Sequence, residues 1–256
     1  MSLGSFVNSC AYRLPRRIPL IAPRSFCPNC HTQLRWLHLI PVLSFVALRG
    51  RCRDCRAAIS IMYPGMELLV GSVAVILFMR YGLSFTFLAT AVFFLLMLLV
   101  ALVDWNHLMI PNEVIVAGLL AGLLLKALSG YRDIPPALLA SLLSLLTLFS
   151  VLVLGSYLFK KEVMGMGDVK LAAVIGLFVG FQGFLVSLWI ASVVGSIYGG
   201  VAYLTKTKRT TQSSNCDIAE VQKIPFGSFL SLASFTVFLF QEQIQGVLDL
   251  WWISIS

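Results

Sequence analysis

Long uncharged apolar runs, separated by short polar breaks, set the pattern of this chain. Residues 84–103 (SFTFLATAVFFLLMLLVALV) hold no charge over 20 positions, and residues 134–159 hold none over 26. About 20 apolar residues carry a helix across a hydrocarbon core of about 30 Å, so each run predicts a membrane span. Residues 64–80 and 111–129 hold no more than two charges each and predict shorter or tilted spans. Residues 171–205 are 35 uncharged positions. One helix of that length would measure about 52 Å, too long for one crossing. The Gly180-Phe181-Gln182-Gly183 break predicts two spans there, 169–181 and 183–204. A last span is expected over 226–248, which makes seven. Residues 1–12 are mildly apolar and end at Arg13. They read as the last half of a span or as a short helix that enters without crossing, and they bring the count to eight. A signal peptide carries its positive charge before the apolar run, not after it.

Composition agrees. The 256 residues are 59% hydrophobic and 12% charged, with a mean hydropathy of +0.90. Soluble domains carry about 25% charged residues, and disorder needs low hydrophobicity with high charge. Both classes are excluded. The expected fold is an all-α polytopic membrane protein of seven to eight transmembrane helices with a small cytoplasmic zinc-binding loop domain. Its parts are a partial first span (1–12), the loop domain (13–61) and a membrane core (62–256).

The net charge of +8 is concentrated in one segment. Residues 13–56 contain nine arginines and a single acid, Asp54, while the remaining lysines and arginines balance the remaining acids. No RNA- or DNA-binding module pattern accompanies the basic stretch, so nucleic acid is not an expected partner. A cytoplasmic loop obeying the positive-inside rule explains it. With 13–61 inside and the spans alternating, sixteen of the lysines and arginines fall inside and three (Arg80, Lys126, Arg132) outside. This orientation puts Asp104 and Asp168 at the same cytoplasmic face.

Four of the six cysteines form two CxxC pairs, Cys27/Cys30 and Cys52/Cys55, with 21 residues between the pairs. The cytosol keeps thiols reduced, so the pairs favour metal over disulfides. Two such knuckles supply four thiolates that close a tetrahedral, structural Zn²⁺ site, which lets a short loop fold without a core of its own. His31 and His38 are then surplus to the ligand set and read as surface residues.

Ionisable residues at the edge of a span are costly and often functional. Asp104 ends the run 84–103, and Asp168 stands where the next uncharged run begins, within Val163-Met-Gly-Met-Gly-Asp-Val-Lys170. Each has a bland explanation: a helix N-cap for Asp168, an interfacial polar residue beside Trp105 and His107 for Asp104. Together, 64 residues apart on different spans at one face, they suit another chemistry. Two carboxylates sharing a site cannot both ionise easily and come to share a proton. One can then act as general base on a water and the other as general acid toward a scissile carbonyl. Gly165 and Gly167 would permit the close approach of an extended peptide. A transporter would carry such residues at mid-membrane, not at a span end and a span start.

At these residues the sequence resembles a known family. Gly165-Met166-Gly167-Asp168 is similar to the GxGD motif of membrane aspartyl proteases. The wider pattern resembles the bacterial type IV prepilin peptidases, also called leader peptidase/N-methyltransferases, over almost the whole chain. The pattern comprises Gly4-Ser5-Phe6-Val7-Asn8 with Tyr12-Arg13-Leu14-Pro15, then the double CxxC loop with Arg49-Gly50-Arg51-Cys52, Ile59, Tyr63-Pro64 and Glu67. It continues with Asp104 and Ile110-Pro111-Asn112, Met164 to Leu171, and Ile224-Pro225-Phe226-Gly227. The resemblance implies cleavage of the short basic leader of type IV prepilins and pseudopilins, on the cytoplasmic side of the bacterial inner membrane. It also implies methylation of the new N-terminal amine with S-adenosyl-L-methionine. The systems served would be type IV pili or type II secretion.

Asp104 and Asp168 then carry over as the protease dyad, with Gly165, Gly167 and Lys170 supporting the motif. Cys27, Cys30, Cys52 and Cys55 carry over as the zinc-type motif, and Glu67 as a methyltransferase residue. Membrane lipids and prepilins are the expected partners. An alternative is a peptidase without the methyltransferase. Two departures stand out. The family carries more residues before GSF, completing the first span. Ser228 stands where the family often has proline, a change expected to ease a turn without removing a catalytic group.

Overall fold

The computed structural model describes residues 2–20, 29–30, 32–33, 43–161, 164–210, 225–241, 243–244 and 246. Among them there is no β-strand; an isolated antiparallel bridge joins Arg51 and Ala58. The helices are α1 (Ser2–Arg13), α2 (Leu43–Ala47), α3 (Met62–Tyr81), α4 (Phe85–His107), α5 (Asn112–Ser129), α6 (Ile134–Phe159), α7 (Met166–Thr210) and α8 (Phe226–Leu239).

Among the described residues, five helical segments are long and apolar enough to cross a membrane: Met62–Tyr81, Phe85–His107, Asn112–Ser129, Tyr131–Phe159 and Met166–Thr205. They fall where the uncharged runs predicted them. The lengths of the described helices do not confirm the expected count of seven to eight. α1 has 12 residues and α8 has 14, about 18 and 21 Å at 1.5 Å per residue, short of a full crossing. The predicted division of the longest run is present: Gly180 has φ 81° and ψ 167° inside α7, a conformation that glycine reaches without the cost a Cβ would impose.

The chain divides into two compact units, Met1–Leu95 and Leu96–Ser256. In the first, α1 lies against α3 with almost no space between backbones. A Cβ on Gly4 would fall 2.8 Å from the Glu67 Cα. Small residues allow this kind of approach between helices in a membrane. Val7, Cys10, Met66 and Val70 are buried. After α1, Arg13 turns its guanidinium back and donates to the carbonyls of Pro19 (3.2 Å) and Leu20 (2.9 Å). Arg16 sits 4.0 Å over the Tyr12 ring.

The second unit is built around the first half of α7. Leu171, Ala172, Ile175 and Leu177 are fully buried, because α5, α6 and α8 all pack on this segment. An apolar helix with no polar face is what a central position requires. Glycines set the distances: a Cβ at Gly118 would meet Val174, and one at Gly122 would meet Leu177 and Phe178. Ser141 donates to the Ala173 carbonyl at 2.8 Å, tying α6 to α7. The outward faces of these helices carry exposed Leu120, Leu124, Leu139, Leu142 and Leu154. Water would not favour such a surface; a lipid phase would.

Candidate functional site

Three helix ends and one turn converge in the second unit. α4 brings Asp104 near its C-terminus, α7 brings Asp168 in its first turn, and α8 brings Gly227 and Ser228 in its own first turn. Leu108 reverses the chain after α4 with φ 53°, its amide donating to the Asp104 carbonyl at 2.8 Å. The turn then delivers Ile110, and Pro111 precedes α5, an N-terminal position that proline tolerates.

Asp104 is 6% exposed, and Ser228 holds it. The Ser228 backbone N–H donates to Asp104 Oδ2 at 2.7 Å, and the hydroxyl lies 3.2 Å from the same oxygen. That hydroxyl also lies 3.0 Å from the Ala101 carbonyl. Asp104 is therefore a buried, built-in carboxylate and not an interfacial surface residue.

Asp168 is not an N-cap. α7 begins at Met166, two residues earlier, so Asp168 lies inside the helix with its side chain turned toward α8. A Cβ on Gly227 would stand 2.9 Å from Asp168 Oδ1 and 3.1 Å from Asp104 Oδ2. These two oxygens are therefore no more than 6.0 Å apart (2.9 plus 3.1 Å), and the carboxylates interact electrostatically. The sequence brings the two expected acids into one site.

The residues that flank the aspartate motif make contacts of their own. Neither Gly165 nor Gly167 is among the positive-φ glycines. Gly167 is small because Ile110 packs on it: a Cβ there would be 3.1 Å from the Ile110 Cβ. The close approach it allows is thus the protein's own Ile-Pro-Asn turn. Lys170 Nζ donates to Asn112 Oδ1 at 2.8 Å, linking the aspartate motif of α7 to the same turn. Beside the site, Trp105, Tyr198 and Phe229 form an aromatic cluster with centroids 5.4 to 6.3 Å apart. Such rings suit a membrane–water boundary.

Ser228 is the residue whose role the sequence reading missed. Beyond easing a turn, Ser228 donates its backbone N–H to Asp104 Oδ2, and its hydroxyl, with one proton, stands between that oxygen and the Ala101 carbonyl. Proline has no N–H, so the shorter of the two hydrogen bonds depends on the residue type. A polar residue next to a glycine at a span start was the available signal.

In the first unit, Cys30, Cys52 and Cys55 lie with their sulfurs all within 4.8 Å of one another. The Cys30 and Cys52 sulfurs are 4.0 Å apart. Tetrahedral zinc with Zn–S of about 2.3 Å places sulfurs roughly 3.8 Å apart, so the three thiols fit that ion. The chain around them is a tight knuckle. The Cys52 amide donates to the Ala57 carbonyl at 2.8 Å, and the Arg56 amide to the Cys52 carbonyl at 3.0 Å. Arg56 has φ 57° and Gly50 φ 68°. Asn29 Nδ2 lies 3.7 Å from the Cys55 sulfur. Cys27, His31 and His38 lie outside the described residues. Glu67 is buried on α3 where α1 crosses it, a separate location within the first unit.

Comparison with known proteins adds to this geometry. Residues 1–81 match the model of the bacterial peptidase A24 N-terminal domain, and residues 91–200 match that of the type IV leader peptidase family. A prepilin leader peptidase/N-methyltransferase of Bacillus subtilis is 32% identical, covering 94% of this chain and 92% of its own. One from Aeromonas salmonicida is 30% identical, covering 95% and 89%. One from Pseudomonas aeruginosa is 29% identical, covering 94% and 88%. No solved structure matches. With two converging aspartates, a cysteine knuckle and these relatives over nearly its full length, the chain belongs to the type IV leader peptidase family.

Proposed function

We propose that the protein removes the leader of type IV prepilins or pseudopilins at the cytoplasmic face of the bacterial inner membrane, with Asp104 and Asp168 as the catalytic pair. The observation that carries this reading is that one point, where a Gly227 Cβ would stand, lies within 3.1 Å of an oxygen of each carboxylate, which bounds their separation. A water held between them loses a proton to one carboxylate as it attacks the scissile carbonyl. The other carboxyl gives a proton to the departing amine, so the C–N bond breaks with no charge left on either product. Asp104 is buried and Asp168 half-buried, which limits the contact of the pair with bulk solvent.

The second activity is N-methylation of the amine that cleavage exposes, with S-adenosyl-L-methionine supplying the methyl group. The names of the relatives support it. Glu67 is our choice for this site, because a buried carboxylate suits a cationic sulfonium donor. Zinc on Cys27, Cys30, Cys52 and Cys55 would hold the loop in shape and take no part in either reaction.

The test is one incubation of the solubilised protein with a leader-bearing prepilin, with and without S-adenosylmethionine, followed by mass spectrometry. The wild type should yield a cleaved, methylated product. Asp104→Asn and Asp168→Asn should each yield none, and Glu67→Gln should yield a cleaved product with little methyl. Near wild-type cleavage by either asparagine variant removes that residue from the pair. Cleavage without methylation by the wild type leaves a peptidase alone.

A further inference from the structure

The first turn of α8 carries a sequence feature that the two-aspartate reading leaves unused: a glycine followed by a serine, both buried against the pair. Gly118, Gly122 and Gly176 keep helices of the second unit close to one another. Gly227 is different in what surrounds it. Its missing Cβ would meet three side-chain ends: Asp168 Oδ1 at 2.9 Å, Ile110 Cδ1 at 3.0 Å and Asp104 Oδ2 at 3.1 Å. No backbone atom is among them. The space that a methyl group would take is the space beside both carboxylates, where a water and a peptide carbonyl must come together.

We infer that Gly227 is a positioning residue of the peptidase site: its lack of a side chain keeps the gap between Asp104 and Asp168 open at working distance, while Ser228 anchors the Asp104 side of that gap. The inference rests on the dyad proposed above and extends it to a third helix. The argument is steric. Side-chain ends can yield where backbone cannot, so a methyl group at 227 pushes the carboxylates aside and leaves the helices docked. Ser228 resists that movement on one side only, since two of its atoms lie within hydrogen-bonding distance of Asp104 Oδ2. Asp168 and Ile110 take the displacement. A misplacement on the order of 1 Å in reacting groups costs about 100-fold in rate.

The experiment compares wild type, Gly227→Ala, the double variant Gly227→Ala/Ile110→Val, and Asp104→Asn on one prepilin peptide. It records kcat, KM and the thermal midpoint in detergent. Gly200→Ala is the control, because a Cβ there meets nothing within 4 Å. Gly227→Ala should fold with an unchanged midpoint and lose about 100-fold in kcat with KM within about threefold. Ile110→Val removes the Cδ1 atom that the new methyl group would press on, and should restore part of kcat. The inference is overturned if Gly227→Ala cleaves within about threefold of wild type. It is equally overturned if its folded protein is lost, since the glycine would then serve helix docking. A dead Asp104→Asn beside an active Gly227→Ala sinks this inference alone; an active Asp104→Asn sinks the dyad on which it rests.

Discussion

At the scale of single residues, identity decides more than polarity. Asp104 and Asp168 were legible because charge is rare in these apolar runs and both ended at one face. Ser228 was legible only as a polar residue beside a glycine at a span start, because a hydrogen bond across 124 positions leaves no periodic trace. The cysteines were legible by spacing alone. Their structure adds that Cys52 is buried while Cys30 and Cys55 are half-exposed. Cys52 is thus the most enclosed of the three thiols, the one whose loss disturbs the inside of the knuckle. Cys52→Ser is expected to lose bound zinc on purification. It should also make the 49–58 segment sensitive to protease, with cleavage of prepilin less affected than zinc content. Metal analysis of wild type and variant checks this: a wild type without zinc refutes the assignment, and full retention in the variant refutes the role of Cys52.

At the scale of elements, the helices were legible and their packing was not. Length and absence of charge located α3 to α7, because a span has to satisfy its backbone internally whatever it packs against. Which helix lies at the centre depends on contacts between distant positions, and nothing in the uncharged run 171–205 marks its first half as the more buried. Small residues hold that information. Gly176 on α7 faces α6, where a Cβ would fall 2.7 Å from the backbone carbonyl oxygen of Ala140. That atom cannot move aside as a carboxylate can. Gly176→Ala should therefore force α6 away and destabilise the second unit by about 1–3 kcal/mol, seen as a lower thermal midpoint in detergent. Gly200→Ala on the same helix should be neutral or stabilising, by up to about 1 kcal/mol. Equal midpoints for the two variants would mean that α6 and α7 are not packed at Gly176.

At the scale of the whole molecule, charge predicts the orientation, and geometry says only which helix ends of the second unit lie together. The positive-inside rule sorts the loops by lysine and arginine alone and uses no distances. Within the second unit, distances sort the helix ends without using charge. The end of α4 and the starts of α7 and α8 meet at the aspartates. Lys126 and Asp133, the Gly180–Gly183 break and Gln241 line a different place, a cavity of about 350 Å³. In this unit the end of α5 and the start of α6, which the charge rule expects outside, line that cavity, and neither aspartate does. Single cysteines introduced at Tyr131 and at Lys160, both exposed, make this testable in a background without the native cysteines. A membrane-impermeant maleimide applied to intact bacterial spheroplasts should label position 131 and leave position 160 unlabelled until the membrane is opened. The reverse pattern would place the aspartates outside, away from any leader still in the cytoplasm, and the proposed reaction would have no substrate on its side of the membrane.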